Sequence, residues 1–266
     1  MAEDISNVPA VSEGNRRDFW REGYLRIQGV GRAGLIALLV VLGLVAIESL
    51  RLGIAGLIVE SGQSEMDRQA GSTRSQSMAE IGRVAGYFSD SLRYGVNNPW
   101  ALEGLGNLDL ARMRVSKVPH EALAFARSAR LRFREALVQR PTSPFLWSNL
   151  ALAKLYLDEA DEEFFQALRH ADALGPWEPT SQEVVLFAGL GGWEKLDPKL
   201  REILAGVVAR GGARNGPKMF KIVKSYRRFD LVCPLTSYHV IAGADCLRAA
   251  GAAGSAPPTK TERGKR

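Results

Sequence analysis

The feature that most constrains this chain of 266 residues is an uninterrupted apolar stretch near its start. Residues Ala33 to Ile47 carry no polar side chain, and Leu52 to Val59 are apolar again after Glu48 and Arg51. The stretch is apolar on every side, whereas an amphipathic surface helix would show one polar face. The span 27–52 is long enough to cross a hydrocarbon core of ~30 Å. The sequence therefore predicts a transmembrane helix, with a buried core helix as the alternative.

Basic residues flank this span unevenly. Soon after Ile47 only Arg51 and Arg68 are basic, whereas five arginines precede the apolar core: Arg16, Arg17, Arg21, Arg26 and Arg32. The positive-inside rule places the N-terminus in the cytoplasm and the long remainder outside it. Because the leading region is long and no small-residue cleavage site follows the apolar core, we expect an uncleaved signal anchor.

Composition divides the chain into five segments. We expect a cytoplasmic segment over residues 1–26, the anchor over 27–52, a juxtamembrane spacer over 53–77, a helical domain over 78–250 and a disordered tail over 251–266. The spacer is rich in Ser, Gln, Gly and charge, which also suits a polar helix that continues from the anchor. The tail is rich in Gly, Ala, Pro and charge, a composition typical of disorder.

Beyond Met78 the sequence has the pattern of successive amphipathic helices. Apolar residues recur at steps of three and four, and Pro or Gly residues separate the periodic stretches. Thr180 or Ser181 is expected to cap one helix, and Gly211-Gly212 to end another. A further helix is expected from Met219 to Phe229. No stretch has the pattern of a strand, so the predicted fold class is all-α: a single transmembrane helix followed by helical hairpins.

One spacing of small, aromatic and proline residues occurs twice, about one tetratricopeptide period (~34 residues) apart. The residues involved are Ala129, Phe133, Ala136 and Pro141, then Phe164, Leu168, Ala171 and Pro176, with Trp147, Leu150 and Ala151 between them. Over residues 98–210 the chain resembles the tetratricopeptide repeat (TPR), although Phe164 and Lys154 depart from its pattern. The resemblance implies stacked helix pairs whose concave face binds a peptide or a protein.

Four aromatic residues are candidates for contacts with a protein partner: Trp147, Tyr156, Trp177 and Trp193. Trp and Tyr dominate many protein–protein interfaces because they bury a large area when they bind. Core packing is the alternative for each of the four.

A basic stretch near the C-terminal end offers a second kind of surface. No acidic residue occurs from Ala205 to Arg228, and four basic residues can share one side of the last predicted helix: Lys218, Lys221, Lys224 and Arg228. The formal net charge of +6 suits an anionic partner, such as lipid phosphate or an acidic polysaccharide. An ordinary solvated face is the alternative.

The chain has 2 cysteines, Cys233 and Cys246, which excludes a cysteine-dense scaffold. They can form a disulfide if this region lies outside the cytoplasm, where disulfides persist. Two buried free thiols are the alternative, because the sequence does not give the distance between them.

No group of residues has the pattern of a catalytic or metal site. His120, His170 and His239 lie on separate predicted elements. The carboxylates of residues 158–163 are expected to form a solvated turn between helices. A G-x-G-x-x-G match at Gly29 to Gly34 precedes a helix that is apolar on every side, unlike the helix of a dinucleotide site. We expect a protein that is not an enzyme and binds no cofactor or metal.

Three short segments carry a family resemblance: Phe145 to Leu152, Leu174 to Pro179 and Arg228 to Cys233, in this order. They resemble bacterial proteins of exopolysaccharide gene clusters, the VpsP-like polysaccharide biosynthesis proteins. Those proteins are similarly built, with an N-terminal membrane anchor and a degenerate TPR-like periplasmic domain. The resemblance implies a bacterial inner-membrane location and an accessory role in making or exporting an extracellular polysaccharide. It transfers no active-site residue.

Two functional hypotheses follow. In the first, the protein is a periplasmic scaffold that contacts membrane proteins of an envelope polysaccharide assembly, while residues 27–52 bind the lipid bilayer. In the second, the basic helix makes it a glycan- or lipid-binding module, with an acidic polysaccharide as one ligand. Nucleic acid is not an expected partner of a domain outside the cytoplasm.

Overall fold

The computed structural model describes residues 13–70, 76–94 and 98–254. Within these ranges the chain consists of helices and turns and has no strand, which confirms the predicted all-α class. One long apolar helix near the N-terminus is followed by a domain of helical hairpins.

The first helix, α1, runs from Glu13 to Ala70. Within it, Gly31–Arg68 is long and apolar enough to cross a membrane, and no part of its most apolar window is buried. The large apolar side chains from Leu35 to Leu52 are each more than half exposed, so they project on all sides of the helix. Hydrocarbon suits such a surface better than water does, and a continuous helix satisfies its own backbone there.

The chain divides into two compact units, Met1–Ile54 and Ala55–Arg266. The last part of α1 therefore belongs to the second unit, in which the Ser91 hydroxyl donates a hydrogen bond to the Ala55 carbonyl oxygen at 2.9 Å. Both residues are buried, so the end of α1 contributes to the core of the second unit.

Eight further helices follow α1 in the described part of the chain. They are α2 (Met78–Tyr94), α3 (Pro99–Val115), α4 (Pro119–Gln139), α5 (Pro144–Tyr156), α6 (Glu162–Leu174), α7 (Pro179–Gly191), α8 (Pro198–Ser225) and α9 (His239–Gly254). Proline in the first turn opens five of them, where its missing N–H costs nothing. Polar side chains cap five of them by accepting backbone N–H bonds: Ser77, Asn98, Ser143, Asp161 and Asp197.

Neighbouring helices pack as hairpins: α3 against α4, α5 against α6, and α7 against α8, with α5 also against α7. Most residues that carry the TPR-like spacing lie in the core, where Phe133 and Phe164 are fully buried, whereas Pro141 is exposed and Trp147 and Pro176 are partly buried. Gly106 lets α3 approach α4 closely, because a Cβ atom at this position would lie 2.5 Å from the Phe133 ring. Small residues thus set the distance between helices, and aromatic rings fill the space between them.

The predicted helix end at Gly211-Gly212 is wrong. Helix α8 continues through both glycines and bends at Asn215 (φ −138°, ψ 24°), before Pro217. The glycines permit close packing, since a Cβ atom on Gly212 would lie 2.6 Å from the Ser237 hydroxyl. Pro217 accounts for the bend, because its ring collides with the preceding turn and it lacks a backbone N–H.

Two further helix boundaries differ from the prediction. Neither Thr180 nor Ser181 caps α7, which begins at Pro179 after Glu178, and Glu178 makes no side-chain cap bond. The helix expected to reach Phe229 ends at Ser225. The chain there turns back, with Arg227 at φ 55°, before a short 3-10 helix.

Two predicted segment ends also need adjustment. The expected spacer is helical as far as Ala70, as in the alternative of a helix that continues from the anchor, and residues 71–75 lie outside the described part. Helix α9 extends to Gly254, so residues 251–254 of the expected disordered tail are helical. Residues 255–266 lie outside the described part.

Candidate functional site

Trp147 joins two hairpins and is only partly exposed. Its indole ring lies 4.6 Å from the His170 ring, measured between centroids, and its Nε1 atom donates to the Pro141 carbonyl oxygen at 2.7 Å. These contacts link α5 to the end of α4 and to α6. The structure therefore uses Trp147 in packing, which is the alternative that the sequence left open.

Trp177 is the most exposed of the four aromatic candidates, at 60%. It lies in the turn between α6 and α7, close in sequence to Leu174, which is 40% exposed. Both side chains leave apolar surface in contact with solvent. This turn thus offers the kind of aromatic anchor that partner proteins bind.

Tyr156 belongs to a row of three aromatic side chains, at the end of α5, on α7 and at the end of α8. Its ring centroid lies 6.5 Å from that of Phe187, which in turn lies 5.6 Å from that of Tyr226. Burial, with a smaller contribution from Tyr156, raises the pKa of Tyr226. The row connects α5, α7 and α8 and is half-buried, so it fixes the packing of these helices.

Trp193 lies close to two arginines. The guanidinium carbon of Arg228 lies 3.7 Å from the ring centroid, and that of Arg201 lies 5.1 Å from it. Cation–π contacts of the ring thus hold the segment that follows α8 against the turn that precedes α8. Among the described residues, no ring contact joins any two of the four aromatic candidates, and the structure does not gather them into one site.

The basic residues near the C-terminal end are largely compensated by carboxylates. Lys218 Nζ lies 3.2 Å from Glu183. Lys224 Nζ lies 2.8 Å from Asp245, and this hydrogen bond lowers the pKa of the Asp245 carboxyl. Arg228 pairs with Asp230 at 2.7 Å. Lys221 is exposed. The sequence does not reveal these ion pairs, because Glu183 and Asp245 lie on other helices.

Cys233 and Cys246 form a disulfide, with their Cα atoms 5.7 Å apart. That distance lies within the usual range of ~4.4–6.8 Å. The bond ties α9 to the segment that follows α8, and the buried Tyr238 strengthens the same joint by donating to the Val208 carbonyl oxygen at 2.8 Å. The C-terminal helix is thus covalently held to the domain.

Sequence reasoning missed the most heavily charged cluster of the domain, which surrounds Lys154. This lysine occupies the position at which the TPR pattern has a tyrosine, and its side chain is only 1% exposed. Its Nζ atom lies 2.7 Å from Glu163, 2.9 Å from Asp161 and 3.3 Å from Glu159. The turn between α5 and α6 therefore wraps its carboxylates around a buried ammonium group.

Two arginines of α4 complete this cluster. Arg130 pairs with Glu159, and Arg134 makes a bidentate pair with Glu163. Three cations thus balance three carboxylates across α4 and the α5–α6 turn. The predicted solvated turn is therefore found only in part, since Asp158 and Glu162 are exposed whereas Glu159, Asp161 and Glu163 surround Lys154. The signal was present in the arginines of α4 and the acids of residues 158–163, but their pairing depends on how the hairpins stack.

The hydrogen bonds of the cluster shift its pKa values. Arg134 is the main cause that lowers the pKa of Glu163, against the opposing effect of burial. Burial raises the pKa of Asp161, but the bonds from Lys154 and from the Phe164 backbone N–H outweigh it, so the pKa is lowered. Burial alone would lower the pKa of Lys154, yet its hydrogen bonds to Glu163 and Asp161 raise it. These shifts favour the charged forms of Lys154, Asp161 and Glu163.

Among the described residues, no group of three or more His, Cys, Asp and Glu side chains is arranged to hold a metal ion. The carboxylates around Lys154 already bind cationic side chains of the protein. Of the three histidines, His170 stacks on Trp147, and His120 and His239 are exposed on α4 and α9. The described residues thus offer exposed side chains for binding, and the ion pairs around Lys154 hold the hairpins rigid.

No protein-family model matches the chain, and no curated protein or solved structure is significantly similar to it. The resemblances to the TPR and to the VpsP-like proteins therefore stay predictions that rest on the quoted residues. What the structure supplies is one exposed apolar helix, a domain of helical hairpins and an exposed aromatic turn at Trp177.

Proposed function

We propose that the protein is a membrane-anchored scaffold that holds components of an extracellular polysaccharide biosynthesis or export system together through protein–protein contacts. The observation that carries this proposal is α1, whose apolar side chains from Leu35 to Leu52 are exposed on every side. Soluble domains rarely expose so large an apolar surface to water, whereas a bilayer buries it. The hairpin domain that follows would then stay close to other membrane proteins.

Two independent features support a periplasmic location of the hairpin domain. Arginines are concentrated before the apolar span, which favours a cytoplasmic N-terminus. The Cys233–Cys246 disulfide is of a kind that persists in oxidising compartments and is rare in the cytoplasm. A reporter enzyme that is active only outside the cytoplasm, fused after Arg266, tests this placement. Activity supports it, and an inactive fusion of normal abundance contradicts it.

The turn at Trp177, together with Leu174 at the adjoining end of α6, is the best-supported contact surface. Exposed aromatic residues often supply most of the binding energy of an interface. The polysaccharide pathway rests on the resemblance to VpsP-like proteins alone. Membrane-anchored partners would meet the scaffold at a raised effective concentration, so modest affinity suffices for assembly.

Co-purification in mild detergent tests the scaffold function. The Trp177→Ala variant is expected to lose envelope proteins that the wild-type chain recovers from the native host, together with polymer output. Tyr94→Ala is the matched control, because Tyr94 is also an exposed aromatic residue, at 43%. Recovery of unrelated cytoplasmic proteins alone, or equal behaviour of the two variants, contradicts the proposal for this surface.

The alternative, an anionic glycan- or lipid-binding module, stays a prediction with less support. Three of its four basic residues are already paired with carboxylates of the same chain. Charge reversal at Lys221, Lys224 and Arg228 separates the two hypotheses. Loss of acidic-polymer binding with intact partner assembly would favour the binding module.

A further inference from the structure

The outward side of α4 carries an apolar line that nothing in the described structure covers. Ala124, Leu131 and Val138 recur every seven residues and are exposed, and Leu131 and Val138 reach 51% and 83%. The opposite side of the same helix, with Ala129 and Phe133, is fully buried. From this line we propose that α4 pairs antiparallel with α4 of a second copy of this chain.

Two charged residues flank the apolar line on opposite sides. Arg127 precedes Leu131 by four residues and Glu135 follows it by four, and both side chains are exposed. At ~100° per residue they lie on either side of the Leu131 direction. Other arginines of α4, such as Arg130 and Arg134, pair within the chain. In the described part of the chain, neither Arg127 nor Glu135 has an ion-pair partner.

A two-fold axis through Leu131 makes this face complementary to itself. Such an axis brings each residue before Leu131 opposite the residue equally far after it on the second copy. Leu131 then meets Leu131 of the second copy, Ala124 meets Val138, and Arg127 meets Glu135. Each apolar residue therefore faces an apolar residue, and the small Ala124 faces the larger Val138. Both Arg127–Glu135 pairs join opposite charges.

Other arrangements fit this face less well. A parallel pairing of two α4 helices places Arg127 beside Arg127 of the second copy, and like charges repel. An anionic lipid surface would favour a basic rim, whereas this rim carries one positive and one negative residue. The charge pattern therefore favours a second copy in antiparallel orientation.

The size of the face explains where the dimer forms. A single pair of helices buries less than the ~1,200–2,000 Å² of a stable interface between soluble proteins. Confinement to a bilayer raises the effective concentration of the two copies. This step rests on the proposed membrane anchoring, whereas the geometry of the α4 pair does not.

Cysteine cross-linking of the full-length chain in native membranes tests the geometry, because the two natural cysteines are already joined. Leu131→Cys lies on the two-fold axis and is expected to form an intermolecular disulfide under mild oxidation. Ala124→Cys is the matched control on the same face. It cross-links several-fold less, because the axis separates the two copies of residue 124 by about 20 Å at ~1.5 Å per residue. Equal cross-linking at both positions indicates a parallel or random contact and overturns the proposal.

Charge exchange tests the pairing itself. Arg127→Glu and Glu135→Arg alone are each expected to lower Leu131→Cys cross-linking about two- to tenfold, and the two together to restore it. The two residues lie about 12 Å apart along one helix at ~1.5 Å per residue, so restoration cannot come from a bond within one chain. Lack of restoration overturns the proposal. Membrane fractionation separates failure of the anchor from failure of the α4 pair. If the chain lies outside the membrane fraction and still cross-links, the anchor is contradicted and the α4 pair is supported. A chain in the membrane fraction that does not cross-link keeps the anchor and overturns the α4 pair.

Discussion

The apolar part of α1 and the helices of the hairpin domain use similar side chains in opposite ways. In α1 the large apolar residues from Leu35 to Leu52 are exposed on all sides, whereas in α4 and α6 Phe133 and Phe164 are fully buried on one side. The hairpin helices find their apolar partners within the chain, and α1 over this span does not. The difference indicates that the partner of α1 is the surrounding medium.

The largest expected effect comes from charge in the anchor. Leu39→Arg combined with Leu42→Arg places two charges in the apolar span and is expected to raise the insertion free energy by about 5–7 kcal/mol. The chain should then leave the membrane fraction. Leu123→Arg on α4 is the control, because Leu123 is 41% exposed and lies in the hairpin domain. Membrane fractionation followed by immunoblotting measures both.

Removal of the buried ammonium group should have the next largest effect. Lys154→Ala leaves Glu159, Asp161 and Glu163 without their central cation, and we expect the free energy of unfolding to fall by about 3–5 kcal/mol. Denaturant unfolding of the detergent-solubilised chain measures this. Lys195→Ala, which breaks the surface pair with Asp158, should cost at most about 1 kcal/mol. Equal costs for the two variants would mean that the cluster does not stabilise the hairpins.

Much of the fold follows from the sequence because its signals are local. Apolar residues at steps of three and four, with Pro or Gly between the periodic stretches, predict successive helices and the all-α class, although the cap expected at Thr180 or Ser181 is wrong. Gly211 and Gly212 misled the prediction because glycine serves close packing as well as helix ends. The Lys154 cluster could not be read from the sequence, since its charges come from different helices and meet only when α4 stacks on the α5–α6 turn.

The aromatic candidates illustrate the same limit. Trp, Tyr and Phe have the same appearance in a sequence whether they pack between helices or face solvent. The structure separates Trp177, which is 60% exposed, from Trp147 and Tyr156, which pack against His170 and Phe187. Only the fold shows which aromatic residue a partner can reach.

Loss of the disulfide has the third largest expected effect. Cys233→Ser combined with Cys246→Ser is expected to lower the free energy of unfolding by about 2–4 kcal/mol. Reducing agent should bring the wild-type chain to the same thermal midpoint as the double variant. The variant itself should be insensitive to reducing agent. A wild-type midpoint unchanged by reduction would contradict the stabilising role.

The pH dependence of stability has the smallest expected effect, but it tests the Lys154 cluster most specifically. The lowered pKa values of Asp161 and Glu163 stabilise the fold above their unfolded values, about 3.9 and 4.3, and this stabilisation is lost as pH falls through the folded values. The raised pKa of Lys154 keeps its contribution complete below about 10.4, and it is lost only as pH rises through the folded value. Thermal midpoints between neutral and acidic pH should fall less steeply in Lys154→Met than in wild type.

The central claim is that the apolar part of α1 anchors the hairpin domain to a membrane. The most direct measurement is extraction of isolated membranes from cells that express the full-length chain, first with alkaline carbonate and then with detergent. We predict that the chain stays in the pellet through the carbonate wash and enters solution only with detergent. Recovery of the folded chain in the soluble fraction without detergent would contradict the claim.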